Sequence, residues 1–201
     1  MSANTIERNQ SANLLPEDGQ PVWLFGYGSL IYKVGFEFLE ARQATLDGWK
    51  RRFWQGSHDH RGTPERPGRV VTLMPDSQAR CTGIAYRVSP DVFSHLDVRE
   101  KNGYLRLFKP LTLNDGDSVD ALVYIATEDN PAFAGPAPEY DIAARILQCQ
   151  GPSGPNADYA LALAGALRHM QVEDPHVFEI ERQLRAMLAA DNKPHYSSEA
   201  G

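Results

Sequence analysis

The sequence predicts an α+β fold built as one domain, with its strands first and its helices concentrated in the C-terminal third. Between residues 21 and 130 the chain holds short apolar or alternating runs bounded by turn residues, the pattern of strands. From residue 139 onward apolar residues instead recur at spacings of three and four, the pattern of helices. Because the two patterns follow one another and do not alternate, they favour α+β over a doubly wound sheet.

Strands are predicted at residues 22–25, 69–74, 81–88, 104–113 and 119–127. Asn114, Asp115 and Gly116 separate the last two, and these residue types suit the tight turn of a hairpin. One helix interrupts the strands. Ser89 is suited to cap it, Pro90 to occupy its first position, Val92, Phe93 and Leu96 to form its apolar stripe, and Gly103 to end it. In the helical third, Ile142, Ile146 and Leu147 mark a first helix; Tyr159, Leu163, Ala166, Leu167 and Met170 a second; Val177, Ile180, Leu184 and Met187 a third. Gly151-Pro152-Ser153-Gly154-Pro155 separates the first pair, and Asp174-Pro175 opens the last helix. The polar leader at 1–20 and the tail at 191–201 read as mobile arms flanking a domain at 21–190.

Composition narrows the function. Of 201 residues, 42% are hydrophobic and 23% charged, so the chain is globular and long enough to fold without metals or disulfides as staples. Twenty Lys and Arg against 26 Asp and Glu give a formal charge of −6, the wrong sign for a nucleic-acid binder, and a small-molecule partner is expected. Cys81 and Cys149 form neither a metal motif nor a disulfide framework; they read as buried spectator thiols in a reducing cytoplasm. No apolar run of about 18 residues is present to span a bilayer, so no membrane partner is expected. The oligomeric state is not legible.

Three stretches carry residues capable of chemistry. Phe25-Gly26-Tyr27-Gly28-Ser29-Leu30-Ile31 follows the first strand. Its glycines permit close approach of backbone to a ligand, and successive amides in such a turn can cradle a carboxylate or oxyanion; a plain strand-end turn is the alternative. The spacing is neither a phosphate-binding P-loop nor a serine nucleophile elbow, so the Ser29 hydroxyl and amide are expected as ligand contacts. In Asp97-Val98-Arg99-Glu100-Lys101-Asn102-Gly103-Tyr104 a carboxylate stands where a helix gives way to a strand, placed to act as a general base or to lie in a solvated charged patch. The segment from Lys50 to Thr63 mixes arginines and aromatics with His58-Asp59-His60. It reads as a Gly/Pro-punctuated loop whose arginines pair with acids or a carboxylate substrate; an RNA surface conflicts with the acidic chain, and a metal lacks a third ligand.

Taken together, these stretches resemble the ChaC-type, glutathione-specific γ-glutamylcyclotransferase family. The resemblance runs co-linearly through Phe25-Gly26-Tyr27-Gly28-Ser29-Leu30, Arg51-Arg52-Phe53-Trp54-Gln55-Gly56-Ser57, Asp59-His60-Arg61-Gly62-Thr63-Pro64, Gly68-Arg69-Val70-Val71-Thr72-Leu73, Arg99-Glu100-Lys101 with Gly103-Tyr104, Asp129-Asn130-Pro131 and Gly135-Pro136-Ala137-Pro138. It covers roughly residues 22–188 and departs at Val98, where relatives often carry a charged or aromatic residue, and at Asn102, where they often carry glycine.

The resemblance implies a small mixed, mostly antiparallel β-barrel with flanking helices. It implies glutathione as substrate, degraded to 5-oxoproline and Cys-Gly without cofactor or metal, with Glu100 as the catalytic glutamate. The loop residues Gly26, Tyr27, Gly28, Ser29, Leu30 and Ile31, together with Tyr104, would contact substrate. A cyclotransferase acting on other γ-glutamyl amines, a non-catalytic binder of glutathione or anions, and an RNA-binding module are the competing readings.

Overall fold

The computed structural model describes residues 4–191, so the tail reading lies, apart from Asp191, outside the described residues. Strands β1 (Val22–Gly26), β2 (Glu40–Ser57), β3 (Gly68–Val88), β4 (Tyr104–Leu113) and β5 (Ser118–Ala126) close into a barrel in the order β1-β3-β2-β4-β5. All pairings are antiparallel except β1 with β5, which run parallel from Trp23↔Ala121 to Phe25↔Val123. The mixed, mostly antiparallel barrel is therefore the observed architecture.

β5 explains why its sequence is a continuous apolar run. Ala121, Val123 and Ile125 point into the barrel core, while Leu122, Tyr124 and Ala126 join a second cluster with Phe93 and Leu96 of α2 (Val92–Arg99). Both faces are covered, so no polar alternation survives. Helices α3 (Glu139–Leu147), α4 (Asn156–His169) and α5 (Pro175–Asp191) pack on the barrel through Ile142, Ile146, Leu163, Leu167, Val177, Ile180 and Leu184, on the stripes the spacing predicts. The Gly-Pro break at 151–155 forms a small hairpin of β6 (Gln150–Gly151) and β7 (Gly154–Pro155).

Four expectations need correction. The stretch at 50–57, read as part of a loop, belongs to β2. Its inward positions include Arg51 and Gln55, both fully or nearly fully buried, and these polar residues interrupt the alternation that marks a strand. The two strands predicted at 69–74 and 81–88 are one strand, β3. The register shifts between Asp47 and Trp49, opposite Arg80 and Pro75, which is why the polar stretch between the two runs looked like a turn. Gly103 does not end α2, which stops at Arg99; Gly103 instead forms a left-handed turn at φ +90° just before β4. Finally, the leader is docked over residues 5–15. Residues Ile6–Ser11 form α1, Thr5 and Asn9 are buried, and Leu14 and Leu15 pack on the second cluster.

Candidate active site

β1 leaves the barrel at Gly26 and turns at once into a 3-10 helix at Ser29–Ile31. Bonds from the Ile31 amide to the Gly28 carbonyl (3.0 Å) and from the Lys33 amide to the Ser29 carbonyl (2.8 Å) close the turn. A Cβ on Gly26 would lie 2.7 Å from Leu30 Cβ, so only glycine lets the loop fold back on itself. Among the described residues the amides of Gly28, Ser29 and Leu30 donate no hydrogen bond, leaving three donors along one wall of a chamber.

The loop is pinned from behind. The buried Arg51 guanidinium donates through Nε to the Tyr27 carbonyl, through Nη2 to the Thr82 carbonyl and through Nη1 to Asp174 Oδ2 at the start of α5, each at 2.6 Å. Because a peptide is planar and trans, fixing the Tyr27 oxygen turns the Gly28 N–H the opposite way. The Tyr27 hydroxyl donates to the Tyr124 carbonyl at 2.6 Å and fastens the side chain as well.

Facing the loop is Glu100, the residue that caps α2, with its side chain 18% exposed. Burial pushes its carboxyl above the ordinary glutamate range, against the opposing pull of Arg99 and His60 and with a further push from Asp59. Arg99 joins the two walls: its Nε lies 3.3 Å from Glu100 Oε1 and its Nη2 donates to Ser29 Oγ at 2.8 Å. Tyr104 donates to the Val71 carbonyl at 2.7 Å, and the Tyr159 hydroxyl accepts from the Val71 amide at 3.3 Å. Burial raises the pKa of both phenols, and of Tyr27, so all three remain protonated hydrogen-bonding groups in the neutral range.

The inner chamber opens into a cavity of about 260 Å³. The cavity is walled by the 58–67 loop and the β6–β7 hairpin, and backbone contact fixes these two to each other. A Cβ on Gly151 would sit 2.6 Å from both the amide nitrogen and the carbonyl oxygen of Gly62, and the Ser153 amide donates to the His60 carbonyl at 2.9 Å. His60 spans the seam, within 3.1 Å of both the Arg99 carbonyl and Ser153 Oγ. Arg61 lies over the Tyr159 ring at 5.8 Å and donates to the Pro155 carbonyl. Arg61, Lys33 and Arg99 thus face Glu100 and Asp59 around one cavity, and Asp59 Oδ1 is buried without a hydrogen-bond partner. A ligand carrying both carboxylates and an ammonium group matches that mixture of charges.

Of the residues the sequence singled out, Tyr27, Gly28, Ser29, Leu30, Glu100 and Tyr104 come together around the inner chamber. Gly26 and Ile31 do not line it: Gly26 pairs with Ile84 in the barrel, and Ile31 packs against the core. Val98 is exposed on α2, whereas Asn102 lines the cavity and donates to the Gly56 carbonyl at 2.8 Å. Sequence reasoning missed Tyr159, which reads as one more apolar member of a helical stripe, and Ser153, hidden in a Gly-Pro break. It read the segment holding Asp59, His60 and Arg61 as a loop whose arginines pair with acids or a carboxylate substrate, and named none of the three as a site residue; their adjacency to the strand motif was the available signal. Among the described residues no cluster of three His, Cys, Asp or Glu is placed to hold a metal. Both cysteines are buried and unpaired, and burial pushes the Cys81 thiol up to about 11.

Comparison with known proteins extends the picture. A family model described as ChaC-like protein matches residues 22–187. Gamma-glutamylcyclotransferase 2-3 of Arabidopsis thaliana is 42% identical over 180 residues, covering 84% of this chain and 90% of that protein. Glutathione-specific gamma-glutamylcyclotransferase 1 of Danio rerio is 43% identical over 178 residues, covering 83% and 90%. The fold is similar to a crystal structure of the glutathione-specific gamma-glutamyl cyclotransferase from yeast, with a TM-score of 0.78 and 30% identity over 83% of this chain and 96% of that one.

Proposed function

The chain belongs to the ChaC-like protein family, and on that premise we propose that it degrades glutathione by intramolecular cyclisation, releasing 5-oxoproline and Cys-Gly. The observation that carries the reading is Glu100, a half-buried carboxylate of raised proton affinity facing a loop whose amides are free to donate.

In glutathione the α-amino nitrogen can reach its own γ-carbonyl carbon, so the nucleophile is part of the substrate. An α-amine titrates near 8 and is mostly protonated at neutral pH, so a base must release its lone pair. Glu100 takes that proton. The new C–N bond closes a five-membered ring, and negative charge collects on the former carbonyl oxygen. The amides of Gly28, Ser29 and Leu30 are the donors offered to that oxygen, and one such donor is typically worth about 3–4 kcal/mol in the transition state. Collapse breaks the bond to the cysteinyl nitrogen, which leaves with the proton held by Glu100; the carboxylate so regenerated takes the second proton from the ring nitrogen, leaving the neutral lactam, and passes it to the released amine, which departs as an ammonium group. No water is consumed and no electrons are transferred, so the step as written asks for no cofactor.

Arg61 and Lys33 are suited to the substrate's carboxylates, and Asp59 to its ammonium group before deprotonation. Tyr104 and Tyr159 close the inner wall. A cytoplasmic setting and no nucleic-acid partner fit the acidic composition and the unpaired thiols; among the described residues no helix is long and apolar enough to cross a membrane.

Incubation with glutathione in oxygen-18 water tests the reading. The expected products are unlabelled 5-oxoproline and Cys-Gly, with N-acetylglutathione competing for the site but surviving intact. Free labelled glutamate as the first product overturns it, and faster turnover of γ-glutamyl dipeptides would move the substrate class.

A further inference from the structure

We propose that the leader is a strap that holds the segment bearing Glu100 and Tyr104 in its working position, with Asn9 as the positioning residue. The inference rests on the reaction assigned above and concerns a part of the chain that lies before the family match at residues 22–187.

β4 pairs with β5 along its whole length but with β2 only at Thr112 and Leu113. At its start, beside the catalytic junction, the other edge is therefore without a strand. Asn9 fills that place with its side chain. Its Nδ2 donates to the Tyr104 carbonyl at 3.1 Å, and its Oδ1 accepts from the Arg106 amide at 2.9 Å. These are the two bonds that one residue of a parallel strand would make opposite Leu105, here supplied by a single carboxamide. The same residue's backbone carbonyl accepts from the Arg106 guanidinium, whose Nε faces Asp97 Oδ1 at 3.3 Å. Four residues earlier, the Thr5 amide and hydroxyl both donate to the Lys101 carbonyl, at 3.0 and 3.1 Å, and Asn4 bridges to Asn102.

The segment from Glu100 to Tyr104 is thereby gripped from two sides. On the barrel side, Gln55 Nε2 donates to the Asn102 carbonyl at 2.8 Å, and the Asn102 side chain donates to Gly56. On the outer side the strap takes the Lys101 and Tyr104 carbonyls. Between them sits Gly103 in its left-handed turn, a conformation with little stiffness of its own. Asn9 is 1% exposed, so its two bonds do not compete with water. The strap touches neither the free amides of the loop nor the cationic side of the cavity, so it acts mainly on the placement of the base and only weakly on substrate affinity.

The test uses the full chain with Asn9→Ala, with Glu7→Ala, exposed on the same short helix, as the control. Asn9→Ala is expected to lower kcat for glutathione about tenfold with KM within about twofold, because a small misplacement of a catalytic group costs rate before binding. Amide exchange at residues 101–106 should accelerate in the same variant and not in Glu7→Ala. Thr5→Ala removes a single strap bond and is the fallback should Asn9→Ala not fold; a roughly threefold loss of kcat with faster exchange at 101–106 is expected. Wild-type kcat in a variant with accelerated exchange, or a change confined to KM, overturns the proposal. If the wild-type protein itself turns over no glutathione, the reaction assignment fails separately. Exchange then decides the strap: acceleration at 101–106 on loss of Asn9 supports it, and unchanged protection overturns it.

Discussion

The loop with the free amides and the junction with Glu100 face each other across one chamber, yet the first is tied to the barrel interior and the second to its rim. Arg51 behind the loop is 2% exposed and gives its hydrogen bonds to two carbonyls and one carboxylate. Arg99 beside Glu100 is 26% exposed and shares its bonds among Ser29, Lys33 and Val34 at 2.8 to 3.4 Å. The contrast suits the two tasks proposed for them. Donors that stabilise a developing charge work by already being in place, so rigidity is an asset there. A base must gain and lose a proton within each turnover, and at Glu100 burial raises the proton affinity while Arg99 and His60 pull it back.

The largest effect should come from removing the proposed base alone. Glu100→Gln is expected to lower kcat about 100-fold or more, while glutathione binding by calorimetry changes little. A variant keeping over about a tenth of the rate would assign the proton transfer elsewhere. Stability provides a second reading of opposite sign. Burial raises the folded-state pKa of Glu100, so its stabilising contribution is fully present below the unfolded pKa and is lost as pH rises through the folded one. Above its folded-state pKa the ionised carboxylate is therefore a cost, and there Glu100→Gln should melt at the same temperature as wild type or higher. For the same reason kcat/KM should fall on the acid side with an apparent pKa above that of an ordinary glutamate. An acid limb at the ordinary value would mean that the carboxylate is solvated during catalysis.

Gly28→Ala probes the rigid wall. Its methyl group would lie 2.9 Å from Val71 Cγ2 and 3.1 Å from the Tyr159 hydroxyl, inside the chamber and not behind it. A rate loss of about 10- to 100-fold is expected, with about 1–3 kcal/mol of stability lost to crowding. Unchanged kinetics would make the loop a connector.

The two arginines separate the regions by stability. Arg51→Met strands Asp174, whose side chain is 11% exposed, and should destabilise by about 3–5 kcal/mol in denaturant titration. Arg99→Met removes a partly solvated pair and should cost about 1 kcal/mol or less while still reducing kcat. Equal losses of stability would erase the distinction between core and rim.

The same division governs what the sequence reveals. The C-terminal helices and β5 were legible because their buried faces are apolar and periodic. β2 was not, because the side chain that holds the catalytic loop is an arginine pointing inward, and one buried charge spoils the alternation by which a strand is recognised. Glu100 was legible through its motif, and its neighbours across the cavity were not. Tyr159, Ser153 and His60 lie on three elements that meet only after folding, and the seam joining two of those elements is made of glycines and carbonyls, which leave no periodic trace. The leader misled for a related reason. A polar run rich in Asn, Gln, Ser and Glu usually signals disorder, but here one asparagine substitutes for a strand, a role with no compositional signature.

The topology of β1 bears on how the molecule comes into being. β2 with β3 and β4 with β5 are hairpins whose pairings are local, whereas β1 must meet β3 on one side and β5 on the other, the latter roughly a hundred residues away along the chain. During synthesis β1 emerges from the ribosome first and must wait for its final neighbour. The chamber lies at the end of that strand, between its loop and the junction before β4, and so does not exist until the barrel shuts. Catalytic competence is then a reporter of the last folding event: in refolding from denaturant, turnover should return with the slowest phase, after strand content by circular dichroism has recovered. Nascent and half-folded chains would thus be unable to turn over glutathione.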